Sequence, residues 1–95
     1  MLNVTHQPDW NRFVIDLENG DQGRLEYHRS GDRMVFLHTE VPPHHEGQGI
    51  GSKLAEAGLE YALENKLTVV PRCPFIAEYV QKHPEYADIV DPQYN

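Results

Sequence analysis

Ninety-five residues allow one domain with a core near the lower practical limit, and 39% hydrophobic with 24% charged residues describe a globular chain rather than a disordered one. A formal net charge of -7, with eight scattered Lys and Arg, argues against a nucleic-acid partner that would be held by clustered cations. A single cysteine forms no intrachain disulfide, no apolar run approaches the roughly 20 residues of a membrane span, and Met1-Leu2-Asn3-Val4 does not open a signal peptide, so a cytoplasmic domain is expected.

Along the chain, Arg12–Glu18 alternates, with Phe13, Ile15 and Leu17 on one face, and predicts a half-buried strand. Asn19-Gly20-Asp21 makes a turn, and Arg24–Arg29 alternates again with Leu25 and Tyr27 together. Ser30-Gly31-Asp32 turns the chain into Arg33–Val41, so three short-linked strands predict an antiparallel meander. From Gln48 the period becomes helical. Ile50, Leu54, Ala57 and Tyr61 recur on one stripe, widened by Ala55, Ala62 and Leu63, while Glu56, Glu60 and Glu64 line a solvated side. Leu67–Val70 reads as a short buried strand, placed parallel to Arg33–Val41 by a right-handed crossover. Pro74 suits the first turn of a helix over Phe75–His83, which Pro84 stops, and a short extended piece is expected around Asp88-Ile89-Val90. The expected architecture is α+β, a mixed sheet of four or five strands with two helices (sizes on the order of those usual for small sheets).

The loop Glu46–Leu54 joins the third strand to the first helix with glycines at 47, 49 and 51. Glycines bare the backbone, and amides at the positive end of a helix dipole suit a phosphate or pyrophosphate. The spacing is not that of a Walker loop, because Gly51 is followed by Ser52-Lys53 in the opposite order. Nor is it the dinucleotide fingerprint, because Ser52 stands where the third glycine would be.

Two further segments bear chemistry. Alternation in His38-Thr39-Glu40 puts His38 and Glu40 on one face and Leu37, Thr39 and Val41 on the other. With the Leu37 face packed by one helix, His38 and Glu40 are expected to point toward the start of the other, as a pair of proton acceptors. Cys73 stands at the boundary of the second helix beside Arg72, where a thiolate nucleophile is favoured, although a lone cysteine is also commonly just a small buried hydrophobe. His44-His45, Cys73 and His83 lack ligand-type spacing, so no metal is expected.

The loop resembles the acyl-CoA loop of the GNAT acetyltransferase superfamily, Arg/Gln-x-x-Gly-x-Gly/Ala. Gly49 and Gly51 take the small positions, and Glu46 departs from the usual Arg or Gln. With His38–Val41, Val69–Phe75 and His83–Asp88 in order, the chain from about Arg24 to Val90 resembles a minimal, stand-alone GNAT-like subfamily (span on the order of one small domain). The resemblance implies a truncated GNAT fold. It also implies acetyl-CoA as cosubstrate, with its pyrophosphate on Gly47, Gln48, Gly49, Ile50, Gly51 and Ser52 and its pantetheine along Val41 near Phe75. Cys73, His38 and Glu40 become the catalytic candidates, with Cys73 either carrying the acetyl group or protonating the leaving thiolate. The acceptor is unidentified, with an amine expected. A coenzyme-binding module without turnover is the alternative.

Overall fold

The computed structural model describes residues 3–94. Its sheet has five strands in the order β1 Val4–Gln7, β2 Arg12–Asp16, β3 Gln22–Ser30, β4 Arg33–Glu40 and β5 Thr68–Pro71. The first four pair antiparallel and β5 joins β4 in parallel, with α1 Ile50–Glu64 forming the crossover and α2 Pro74–Lys82 following β5. The expected meander is therefore present, as are both helices and the parallel neighbour. β1 is an addition. It pairs Val4 to Ile15 through Gln7 to Arg12, and its residues Val4-Thr5-His6-Gln7 contain one aliphatic side chain, too little alternation to mark a strand. Neighbour pairing forms it, and His6 anchors it by stacking on Phe13 at 4.2 Å and hydrogen-bonding the Tyr27 hydroxyl at 2.6 Å.

Both helices cover the same face of the sheet. α1 buries Ile50, Leu54, Ala55, Leu59 and Ala62 against Phe13, Ile15, Leu25 and Phe36, and α2 adds Ile76 and Val80 to the same core. The stripe on α1 is rotated from the expected one: Leu59 is buried while Leu63 is exposed. Gly58 sets that rotation. A Cβ there would lie 2.9 Å from both Leu25 Cδ2 and Phe36 Cε1, so the helix rests on the sheet through its own backbone.

Pro74 occupies the first turn of α2, as its fixed φ favours, and Cys73 is the N-cap. The tail differs from expectation. Pro84–Ile89 is a 3₁₀ segment, and extended pairing is confined to one parallel bridge between Val90 and Val69. Asp91 fastens that edge, taking a 2.8 Å bond from its own N–H to the Val69 carbonyl and a 2.9 Å ion pair to Arg33. Asn95 lies outside the described residues. Among those described, no helix is long and apolar enough to cross a membrane.

Candidate functional site

Past Glu40 the chain runs through Val41-Pro42 and a single 3₁₀ turn, Pro43–His45, into the glycine loop. Gly47 and Gly49 take φ of +84° and +78°, a region that side chains disfavour, and beyond the adjoining residues no heavy atom lies within 4 Å of where their Cβ atoms would be. Gly49 is the N-cap of α1, and its carbonyl accepts the Lys53 N–H at 3.0 Å. The amides of Ile50, Gly51 and Ser52 precede the first intrahelical bond and are left to a ligand or solvent. They open on a cavity of about 290 Å³ lined by Val41, His45, Glu46, Gly47, Gly49, Ile50, Gly51, Ser52 and Phe75.

The cavity thus gathers Val41, five loop residues and Phe75 of the expected coenzyme positions. Phe75 closes one side, with its Cζ 3.0 Å from where a Cβ on Gly51 would be. Gln48 is absent from the lining, and its Oε1 lies 3.4 Å from His45 Nδ1. His45 and Glu46 are wall residues that pattern reading overlooked. His45 Nε2 lies 3.3 Å from Asp21 Oδ2, which ties the loop to the turn between β2 and β3. The signal for it was weak: a histidine before a glycine loop shows its partner only once the β2–β3 turn is folded against it. Among the described residues, no group of three or more His, Cys, Asp or Glu could hold a metal ion.

The second part of the site lies where β4 and β5 separate. Their pairing runs from Arg33 with Thr68 to Phe36 with Pro71, and the Cys73 N–H then donates to the Phe36 carbonyl at 2.9 Å. Beyond this point the chain after β5 enters α2 while β4 continues, so Leu37–Glu40 has no partner strand on that edge. Cys73 is buried at the corner, and its Sγ lies 3.2 Å from Thr39 Oγ1.

A one-residue irregularity decides which β4 side chains reach this corner. Tyr27 pairs with Phe36 but Glu26 pairs with His38, leaving Leu37 as the extra residue of a β-bulge. Before it, Met34 and Phe36 face the helices. After it, Thr39 does, opposite buried Leu25. His38 and Glu40 share a face, as alternation requires, but it is the face away from both helices, beside Glu26 and Arg24. The expectation that they point toward the start of the second helix is corrected, because α2 packs on the same side as α1. Leu37, expected to be packed, is exposed. The Glu40 carboxylate is ion-paired to Arg24, which also lies 3.4 Å from Glu26. Thr39 is the residue that meets Cys73.

Comparison with known proteins gives this geometry a relationship. The family model described as GCN5-related N-acetyl-transferase matches residues 12–89. Protein NATD1 of Gallus gallus is 35% identical over 96 residues, covering 96% of this chain and 86% of its own length. Protein NATD1 of Homo sapiens is likewise 35% identical, covering 96% and 84%. The NMR solution structure of a GCN5-like candidate N-acetyltransferase from Staphylococcus aureus superposes with a TM-score of 0.74 at 30% identity, covering 95% of this chain and 88% of that one. The five-stranded mixed sheet with two helices is a GNAT fold, and the chain belongs to the GCN5-related N-acetyltransferase family, whose general chemistry is acetyl transfer.

Proposed function

We propose that this protein binds acetyl-CoA in the glycine-loop cleft and transfers the acetyl group to an amine. The observation that carries the reading is the set of first-turn amides on α1, opening on a cavity at the carboxyl end of two parallel strands that then diverge. The pyrophosphate sits on the amides of residues 47–52, with Gly47 and Gly49 supplying the φ that keeps side chains out of its way. The pantetheine passes Val41 and Phe75 and lies along the unpaired edge of β4, which brings the thioester to the corner held by Cys73 and Thr39.

The amine nitrogen attacks the thioester carbonyl, the carbon–sulfur bond breaks, the amine proton passes to a base, and the coenzyme leaves as thiolate. The gap between β4 and β5 gives the two reactants separate approaches, coenzyme from the helix side and acceptor from the open face. On that face His38 is the better base. Glu40 is held in an ion pair with Arg24, whereas His38 makes no side-chain hydrogen bond or ion pair among the described residues. On the other side, Cys73 has two possible tasks: to accept the acetyl group transiently or to protonate the leaving thiolate. Its position supports both: Sγ lies 3.2 Å from Thr39 Oγ1, beside the edge of β4 that has no partner strand.

Calorimetric titration with acetyl-CoA tests the binding step: wild type gives a saturable heat that Gly49→Glu abolishes. An equal heat from the variant would remove the loop from the site. Mass spectrometry after incubation with acetyl-CoA separates the two tasks of Cys73, since a carrier gains an acetyl group that Cys73→Ser lacks. Release of free coenzyme in the presence of an amine panel distinguishes an enzyme from a coenzyme-binding module, for which release never exceeds hydrolysis.

A further inference from the structure

For a site that takes a diphosphate, the cleft is short of positive charge. Among the described residues its lining holds no Lys or Arg, and Glu46 adds a carboxylate to the wall. Lys53, near the start of α1, borders a neighbouring hollow beside Glu56 and Tyr79. His45 is the one lining side chain able to become a cation. Its backbone is fixed by the 3₁₀ turn, where its N–H donates to the Pro42 carbonyl at 2.9 Å, and its side chain is only 12% exposed. Asp21 Oδ2, 3.3 Å from Nε2, accepts the proton on that nitrogen, which leaves Nδ1 as the one that gains or lacks a second proton. Nδ1 lies 3.4 Å from the Gln48 side-chain amide. That amide accepts from a protonated Nδ1 or, turned over, donates to a bare one, so the ring keeps its place in either state.

We propose that His45 makes coenzyme binding proton-linked: as the diphosphate enters, His45 takes up a proton from solvent, and the imidazolium supplies the positive charge that Glu46, at its side, withholds. The proposal rests on the coenzyme reading above. A diphosphate brings two negative charges to a wall that already carries one, and an anion nearby stabilises the protonated ring relative to the neutral one. The other groups around the ring leave the ligand as the new charge. Asp21 faces it from the β2–β3 turn, Glu46 and the neutral Gln48 belong to the glycine loop, and Val41 and Phe75 are apolar. Arg24 and Glu40 stand beyond Asp21, in the cavity on the far side of Val41, and are paired with each other. Amides hold their partial charge at any pH, so a cleft made of them alone would bind with equal strength across neutrality. With His45 in its wall, affinity rises as pH falls through the range in which histidines titrate.

Calorimetry with acetyl-dephospho-CoA tests this, because that probe lacks the 3′-phosphate, whose own titration near neutrality would enter the proton count. At about pH 7, in two buffers of different ionisation enthalpy, the wild-type heats should differ in the sense of protons taken up. His45→Gln should bind about fivefold more weakly and give equal heats in both buffers. His44→Gln, which changes the exposed neighbour, should behave as wild type. Wild-type affinity should rise about fivefold from about pH 8 to about pH 6 and stay level in His45→Gln. A thermal melt checks that His45→Gln folds; should it not, the ring-nitrogen resonances of His45 in the labelled wild type decide, since the probe should move them toward their imidazolium positions. Saturable binding with equal wild-type heats, or proton uptake that persists in His45→Gln, would overturn the role of His45 while leaving the cleft intact. No binding in either buffer would remove the coenzyme reading and this inference with it.

Discussion

The glycine loop and the Cys73 corner both border the carboxyl end of β4, yet they are made of different material. At the loop, the exposed groups are main chain: the first turn of α1, preceded by Gly47 and Gly49 at positive φ. At the corner the groups are side chains, Cys73 and Thr39, whose meeting depends on the extra residue Leu37 in β4. Backbone donors are set by local φ and the start of the helix, so such a site depends on its glycines more than on the identity of neighbouring side chains. Side-chain groups are fixed by register, and a slip of one residue sends them to the other side of the sheet.

The largest expected effect breaks the loop and spares the corner. Gly49→Val places a β-branched residue at φ +78°, a strain of roughly 1–3 kcal/mol that the chain relieves by moving the amides. Affinity for acetyl-CoA should fall by more than about 100-fold in calorimetry, with a cooperative melt retained. Breaking the corner should give the complementary result. Cys73→Ser should lower turnover on the order of 100-fold while the coenzyme Kd stays within about threefold, as measured by coenzyme release and calorimetry. If binding and turnover fell together in both variants, the division between the two regions would be wrong.

A smaller change sharpens the comparison. Gly51→Ala sets a methyl 3.0 Å from Phe75 Cζ, and Phe75 is 37% exposed, so its ring has room to yield. The expected loss of coenzyme affinity is about fivefold, and adding Phe75→Leu should cost less on this background than it does alone, because both changes act on the crowding of one ring.

The smallest effect lies outside both regions, at His6. Burial, and secondarily Arg29, hold its pKa below the ordinary 6.5. The folded protein therefore binds fewer protons at this site than the unfolded chain does. Its contribution is complete above about pH 6.5 and declines as pH falls from there toward the lower folded value. Asp91 acts in the same direction further down. Its carboxylate is held low, first by the Gln93 N–H and then by Arg33, so that its contribution fades as pH drops below the usual carboxylate range. Melting temperature should fall slightly between pH 7 and pH 5 (roughly the window of an ordinary histidine), and His6→Phe should flatten that slope. A slope unchanged in His6→Phe would place the titrating group elsewhere.

The same contrast explains what the sequence made legible. The glycine loop could be read because positive φ and a bare helix start demand glycine at 47 and 49, and the switch to helical spacing at Ile50 marks where α1 begins. The crossover to β5 and Pro74 at the start of α2 followed from chain connectivity and proline's fixed φ. The bulge left no such mark. Phe36-Leu37-His38 contains no glycine, and strict alternation puts Leu37 inside and Thr39 on its face, whereas pairing with β3 exposes Leu37 and turns Thr39 to Cys73. The choice of Leu59 over Leu63 was hidden for a related reason. It is set by Gly58 resting on Leu25 and Phe36, a contact between elements rather than a pattern within one.

The central claim is that the main chain from Gly47 to Ser52 holds the coenzyme's diphosphate, and amide resonances report on it directly. In a titration of the isotope-labelled protein with acetyl-CoA, those six amides should show the largest shifts in the spectrum, saturating below about millimolar ligand. Resonances of that segment standing still while the ligand is present in excess would contradict the account.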